Sequence, residues 1–243
     1  MTKNQKSPQP EQAEEVMREL REAANPVNLA GMARYGINTQ SALGVSLPFL
    51  RTLAKRIGKD SELAGLLWQS GVHEARMLAG LIANPCEFSQ ESMEQWVKDF
   101  NSWDLCDQVC NNLFAKTPYA VKKAIEWCRR PEEFVRRAGF VMIAALAVHS
   151  RQLSDQQFRD FFPLLLEGAS DERNYVKKAV NWALRQMGKR NLSLHDAAIS
   201  LAGQIRVIPS KTARWIAADA LRELSRESTI KRVRQKIAKN TNR

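Results

Sequence analysis

A carboxylate and an indole lie one helical turn apart in the segment NSWDLCDQVCNNLF, residues 101–114. Trp103 and Asp107 are four residues apart, so a helix projects both side chains from one face. A carboxylate in this position can stabilise a developing positive charge, and a flat indole can stabilise the same charge through its π face. The alternative is a core tryptophan beside a surface aspartate. The opposite side of this helix is predicted to contact the core through Leu105, Val109 and Leu113.

A second cluster combines an aromatic ring with cations in the segment DERNYVKKAVNWALRQMGKR, residues 171–190. Here Trp182 lies among five basic residues, namely Lys177, Lys178, Arg185, Lys189 and Arg190. Cations interleaved with an aromatic ring suit a phosphate backbone next to a sugar or base. The alternative is a tryptophan that packs into the core from a basic helix.

The excess of positive charge lies entirely in the second half of the chain. Residues 1–120 carry 12 basic and 14 acidic side chains, whereas residues 121–243 carry 25 basic and 12 acidic ones. This asymmetry predicts a polyanionic partner, and nucleic acid is favoured over a membrane surface because the cations are spread over several segments. The longest apolar run, Ala138–Val148, is too short to span a bilayer, and the polar start MTKNQKSPQPEQ is unlike a signal peptide. We therefore expect a soluble cytoplasmic protein with no membrane partner.

Nearly every segment repeats its apolar residues with the 3.6-residue period of a helix, so the sequence predicts an all-α fold. Residues 36–47 resist a helical interpretation and are predicted to be a long connection. Ser102 is predicted to cap the helix that begins at Trp103. Four tryptophans occupy apolar helical positions and are predicted to be core residues: Trp68, Trp96, Trp127 and Trp215.

Short motifs recur along the chain at an interval of roughly 40 residues, which lies in the range of helical repeat arrays. Arg136-Arg137-Ala138 returns as Lys177-Lys178-Ala179, and Ala183-Leu184-Arg185 returns as Ala220-Leu221-Arg222. Two helices in such a period are typical of HEAT-type arrays, in which stacked pairs share a core and curve around a concave surface. The alternative is an irregular helical bundle. The predicted organisation is a flexible N-terminus over 1–10, one HEAT-like domain over 11–225 and a basic helix or tail over 226–243.

Three stretches, SWDLCDQV, VRRAGFVMIAALA and YVKKAVNWALRQMGKRN, give the chain its resemblance to a known family. Together with NPVNLAGMARYGI and ALGVSLPFLRTLAK, they resemble the HEAT-like-repeat DNA alkylation repair family, the AlkD-like alkylpurine DNA glycosylases, over roughly residues 25–225. The resemblance implies a curved all-α solenoid of HEAT-like antiparallel helix pairs, with duplex DNA in a concave basic groove. It also implies hydrolysis of the N-glycosidic bond of cationic N3- or N7-alkylated purines.

The same resemblance implies a role for particular residues. Asp107 corresponds to the catalytic aspartate, Trp103 and Trp182 to the active-site aromatics, and Arg137 to a groove arginine. The remaining DNA contacts are expected from Arg136, Lys177, Lys178, Arg185, Lys189, Arg190 and Arg214. A cationic purine leaves as a neutral base, so no metal or organic cofactor is expected. The expected partner is alkylated double-stranded DNA, bound by a monomer.

Two other interpretations belong beside this one. Helical arrays often act as scaffolds, so the chain can also be a catalytically silent HEAT-repeat module that binds DNA structures or a protein. Cys106, Cys110 and Cys128 could suggest zinc, but the sequence has no paired C-x₂-C motif and no histidine nearby. Buried free thiols are therefore predicted.

Overall fold

The computed structural model describes the backbone of residues 9–241 and the side chains of residues 9–235. Within these residues the chain forms α-helices and one short 3₁₀ helix, Phe114–Lys116, but no strand. The all-α prediction is confirmed. Residues 1–8 and 242–243 lie outside the described part, so most of the predicted N-terminal segment and the end of the predicted tail do too. The predicted domain boundaries stay a prediction.

The chain divides into two compact units, Met1–Pro118 and Tyr119–Arg243. The helices of the first unit are α1 (Gln9–Glu22), α2 (Pro26–Arg34), α3 (Leu47–Ile57), α4 (Ser61–Gln69), α5 (His73–Ile82), α6 (Gln90–Lys98) and α7 (Trp103–Asn112). Those of the second unit are α8 (Ala120–Trp127), α9 (Glu133–His149), α10 (Asp155–Arg159), α11 (Phe162–Gly168), α12 (Asn174–Gly188), α13 (Leu192–Arg206), α14 (Lys211–Leu224) and α15 (Glu227–Thr241).

Helix α5 is the central helix of the first unit. It packs against α3, α4 and α7, and most of its side chains are buried. Two of the buried side chains, His73 and Glu74, are polar and are the first two residues of the helix. Because buried polar groups need hydrogen-bond partners, these two residues must be bonded to neighbouring segments.

The connection between α2 and α3 is irregular, as predicted for residues 36–47, and α3 begins at Leu47 behind an N-cap at Ser46. Gly44 in this connection has a φ of +77°, and a Cβ atom there would lie 2.2 Å from the backbone oxygen of Asn25. Only glycine fits this position. Asn25 also donates its backbone N–H to the carbonyl of Leu43, at 2.9 Å.

Three helices of the second unit show the repeat. Helix α12 packs against both α9 and α14, and the three begin at Glu133, Asn174 and Lys211. Side-chain contacts join residues 38 positions apart in neighbouring helices, as in Arg137 with Tyr175, Asn181 with Asp219 and Arg185 with Glu223. The predicted repeat is confirmed in this unit.

Burial separates the tryptophans into two groups. Trp68, Trp96 and Trp127 are core residues, as predicted. Trp215 is 42% exposed, so its predicted core position is wrong. The core-facing side of α14 is instead filled by Ala213, Ile216, Ala217, Ala220 and Leu224.

Cys106, Cys110 and Cys128 are buried and form no disulfide, which confirms the predicted buried thiols. Among the residues that the structure describes, no three His, Cys, Asp or Glu side chains are grouped so as to hold a metal ion. Over residues 9–241, no helix has both the length and the apolar character that a membrane span requires.

Gly139 lies where α9 packs closely against the end of α8. A Cβ atom at Gly139 would lie 2.4 Å from the backbone nitrogen of Cys128, whereas one at the exposed Gly203 of α13 would meet no atom within 4 Å. We predict that Gly139→Ala lowers the free energy of unfolding by about 1–3 kcal/mol through overpacking. Gly203→Ala should raise it by up to about 1 kcal/mol, because alanine favours the helix. Urea unfolding followed by circular dichroism measures both, and equal effects would contradict this packing.

Candidate functional site

Helix α7 has a buried side and a partly accessible side. Leu105, Val109 and Leu113 are fully buried, as predicted for the core contact. Trp103 and Asp107 lie one turn apart on the other side, and both are half-buried. The helix therefore presents an indole and a carboxylate together, as the spacing predicts.

The indole of Trp103 is held by the end of α2. Its Nε1–H donates to the backbone oxygen of Tyr35, at 3.1 Å. Tyr35 is the C-cap residue of α2 and the first residue of the irregular connection. The orientation of the indole therefore depends on where this connection lies.

The first turn of α7 is fixed to α5 through Asp104. His73 Nε2 lies 2.9 Å from Asp104 Oδ2, and the Ser102 hydroxyl donates to Asp104 Oδ1. Ser102 occupies the N-cap position of α7, as predicted, but its side chain makes no cap hydrogen bond and bonds to Asp104 instead. Burial disfavours the charged form of Asp104, but the bonds from His73 and Ser102 outweigh it and hold the pKa of this carboxyl below its ordinary value.

A buried carboxylate holds the connection itself. Glu74 is 1% exposed, and its side chain accepts hydrogen bonds from three successive backbone N–H groups: Leu43 at 2.8 Å, Gly44 at 2.7 Å and Val45 at 3.3 Å. The neighbouring His73 donates its backbone N–H to the carbonyl of Ser41, at 3.0 Å. Two consecutive residues of α5 thus fix the segment that supports Trp103.

Sequence reasoning did not find the supporting role of Glu74. The available signal was a His-Glu pair at the start of HEARMLAGLI, a helix that is otherwise largely apolar. An acidic residue in such a helix must be paired if it is buried. The three amides that it binds come from a distant earlier segment, 29 to 31 positions before Glu74, which local patterns do not reveal.

In the second unit, two of the arginines predicted to bind DNA support neighbouring backbone. Arg137 is 5% exposed, and its Nη1 donates to the carbonyl of Tyr175, at 2.6 Å. Arg190 donates to the carbonyls of Ala147 and Leu153, at 3.0 and 3.3 Å, and its guanidinium lies over the ring of Phe158. Trp182 lies on α12 and is half-buried.

Three further residues that are predicted to contact DNA form ion pairs within the second unit. Arg136 pairs with Asp171 at 3.4 Å, and Lys189 pairs with Glu223 at 2.7 Å. Arg185 also pairs with Glu223. Burial disfavours the charged form of Glu223, but Lys189 and Arg185 hold its pKa below the ordinary value.

The remaining residues that are predicted to contact DNA are more exposed to solvent or lie beside an exposed ring. Lys178 and Arg214 are exposed, and neither forms an ion pair among the described side chains. Lys177 is half-buried, with its Nζ 5.3 Å from the ring centroid of Trp215. The structure thus places Trp103 and Asp107 together on α7. The cations predicted to bind DNA lie on α9, α12 and α14, or directly after α12 in the case of Lys189 and Arg190, and Trp182 lies on α12. Their roles toward DNA stay predictions.

The sequence matches a known protein family over most of its length. Residues 16–234 match the family described as DNA alkylation repair enzyme. The chain belongs to the DNA alkylation repair enzyme family. This match covers most of the chain and confirms the resemblance seen in the α7, α9 and α12 segments.

A solved structure confirms the fold of this family member. It is described as representing a new family of proteins related to the HEAT-like repeat DNA glycosylases with affinity for branched DNA structures. It superposes with a TM-score of 0.73 at 21% identity, over 86% of this chain and 94% of the other. The fold is therefore the predicted HEAT-like repeat fold. A designed armadillo repeat protein in complex with a (KR)4 peptide reaches a TM-score of only 0.43 at 15% identity, over 90% of this chain and 95% of the other. No curated protein matches the chain.

The attachment of α7 to α5 leads to a pH-dependent prediction. Since the contacts of Asp104 favour its ionised form, their stabilisation is fully present above the ordinary pKa of 3.8 and is lost as the pH falls through the lower folded-state pKa. We predict that Asp104→Asn lowers the free energy of unfolding by about 1–3 kcal/mol at pH 7. The difference from the parent should shrink below pH 3.8.

Denaturant titrations from pH 7 to pH 3 measure this difference. Asp196→Asn, which changes an exposed carboxylate on α13, is the control and should follow the parent. A cost of Asp104→Asn that is the same at every pH would contradict the assigned role of the ionised carboxylate.

Proposed function

We propose that this family member is a DNA N-glycosylase that releases cationic N3- or N7-alkylated purines from double-stranded DNA. The observation that supports the proposal is the placement of Asp107 and Trp103 on one face of α7. The supports of this face, Tyr35 at the indole and His73 at Asp104, are the kind of rigid surroundings that a catalytic carboxylate needs.

The proposed reaction is hydrolysis. The bond between C1′ and the purine nitrogen breaks, and its electron pair goes to the base, which thereby loses its positive charge. The sugar takes on oxocarbenium character, which the Asp107 carboxylate stabilises while it orients a water molecule toward C1′. The water oxygen bonds to C1′, and its proton passes to solvent. The Trp103 ring adds cation–π stabilisation of about 0.5–2 kcal/mol. Because the leaving base is neutral, the reaction requires no metal or cofactor.

The second unit supplies the proposed electrostatic attraction for DNA, since residues 121–243 hold 25 basic and 12 acidic side chains. Phosphate contacts from exposed cations such as Lys178 and Arg214 position a duplex without reading its sequence. Such binding weakens steeply as salt rises. Trp182 is proposed here as an aromatic contact to DNA, in place of the active-site role that the resemblance implies, and the protein is proposed to act as a monomer in the cytoplasm.

Base release from methylated duplex DNA tests the proposed chemistry. We predict that the parent releases methylated purines and that Asp107→Asn lowers the single-turnover rate by at least about 100-fold, since it removes the charge that stabilises the sugar cation. Chromatography of the freed bases measures the rate. DNA binding should change little, because the carboxylate does not attract phosphate.

Asp196→Asn is the matched control, because it removes an exposed carboxylate from a helix of the second unit. It should release bases at the parental rate. Absence of release by the parent, or equal rates for the parent and Asp107→Asn, contradicts the glycosylase proposal.

A second candidate function is binding of branched DNA without base excision. The fold is shared with a protein described as having affinity for branched DNA structures. In addition, Arg185 and Lys189 are neutralised by Glu223, so fewer cations remain for a long duplex. A protein of this kind would recognise the geometry of a junction and would not depend on Asp107.

Paired binding assays distinguish the two candidates. If the second candidate is correct, a four-way junction should bind about tenfold or more tightly than a linear duplex with the same arms, a difference of about 1.4 kcal/mol. Asp107→Asn should leave this ratio unchanged. Electrophoretic mobility shifts at fixed salt measure both affinities, and equal affinities contradict this candidate.

A further inference from the structure

Trp215 is an exposed aromatic residue on a basic surface of the second unit. Its side chain lies in the first half of α14 and is 42% exposed, whereas Trp127 in the same unit is fully buried. An indole in this position exposes apolar surface to water, which costs free energy. Exposed aromatic residues of this kind are common where a protein contacts a ligand that has a flat apolar face.

A lysine from the neighbouring helix stands over this ring. Lys177 of α12 lies with its Nζ 5.3 Å from the ring centroid of Trp215. The two residues are 38 positions apart and begin a row of contacts between α12 and α14 with the same offset, followed by Asn181 with Asp219 and Arg185 with Glu223. Along this row, the first contact is between a cation and an aromatic ring, the second is a hydrogen bond and the third is an ion pair.

The acidic residues of the two helices lie at the other end of this row. Helix α12 contains no acidic residue, and the two of α14, Asp219 and Glu223, lie in its second half. Both are paired with basic side chains, namely Arg185, Lys189 and Arg222. The positive charges in the second half of α12 are thus offset locally, and those in the first half are not.

The first halves of α12 and α14 carry four cations, each within about one helical turn of Trp215 or of Lys177, its contact on α12. Lys178 follows Lys177 on α12. On α14, Lys211 lies one helical turn before Trp215, and Arg214 directly precedes it. Lys178, Lys211 and Arg214 are exposed, and none of them forms an ion pair among the described side chains. We call these five residues, Lys177, Lys178, Lys211, Arg214 and Trp215, the Trp215 platform.

We propose that the Trp215 platform binds an unpaired nucleotide of DNA, with the cations contacting phosphates and the indole stacking on the base. The proposal rests on the proposed function only in that the chain binds DNA. An anionic backbone that carries a flat apolar group on every unit matches a cationic surface that carries one indole. In an intact duplex the faces of the bases are stacked on one another, so only an unpaired base can reach the ring. An acidic peptide would satisfy the cations but would leave the indole without a partner.

The decisive comparison is between two replacements of the ring. Trp215→Leu keeps an apolar side chain but removes the flat aromatic face, and Trp215→Phe keeps a smaller aromatic face. Fluorescence anisotropy with a labelled single strand of about 12 nucleotides measures their affinities beside that of the parent, and a linear duplex measured at the same salt checks that each variant is folded.

We predict that Trp215→Leu weakens single-strand binding by about 5- to 150-fold, the range for loss of one base stacked on an aromatic ring. Trp215→Phe should retain most of the affinity, and duplex binding should stay near the parental value for both. Val207→Ala removes another exposed apolar side chain, one that is 81% exposed and lies outside the platform, and should match the parent.

The outcomes separate this proposal from the proposed function. If the parent binds duplex but Trp215→Leu binds the single strand as tightly as Val207→Ala does, the platform proposal is overturned while DNA binding stands. If polyglutamate of equal charge displaces the strand as well as unlabelled DNA does, stacking plays no part and the proposal is also overturned. If the parent binds neither form of DNA, the proposed function fails as well.

Discussion

The buried carboxylate of Glu74 is the interaction on which the candidate site of the first unit depends. Three successive backbone N–H groups, from Leu43 to Val45, have no helical partner, and Glu74 accepts hydrogen bonds from all of them. Buried amides without partners would each cost about 1–3 kcal/mol, so the connection between α2 and α3 has one favourable position on α5. That position places the Tyr35 carbonyl at the Trp103 indole. A carboxylate in the core thus holds the connection whose first residue bonds to an aromatic ring on a different helix.

In the second unit, the distribution of the few acidic residues decides which cations remain available. The excess of basic residues alone suggests a uniformly positive surface, but Asp171, Asp219 and Glu223 neutralise particular arginines and lysines. Ion pairs of this kind lock helices together and reduce the attraction for phosphate where they form. Positive charge is left at the first halves of α12 and α14, where the exposed indole of Trp215 also lies.

The chain belongs to the DNA alkylation repair enzyme family, and it shares its fold with a structure that is only 21% identical in sequence. This fold therefore accepts extensive variation in sequence. Packing in the second unit includes close contacts to the backbone, as where Gly139 lies against Cys128 and where Arg137 bonds to a carbonyl. Such contacts constrain only a few side chains. Surface residues can therefore change while the helices keep their places, and function has to be argued from individual side chains.

The sequence by itself determined the features that depend on local periodicity. It predicted the helices, the irregular connection at 36–47, the recurring helix motifs and the shared face of Trp103 and Asp107, because each follows from spacing along the chain. Only the tertiary structure decided the outward position of Trp215, the bond of Ser102 to Asp104 and the enclosure of Arg137. A period of 3.6 residues shows which side of a helix is apolar, but it does not show which neighbour fills the core. Partners that come from distant segments, as those of Glu74 and Arg137 do, are set by packing between helices.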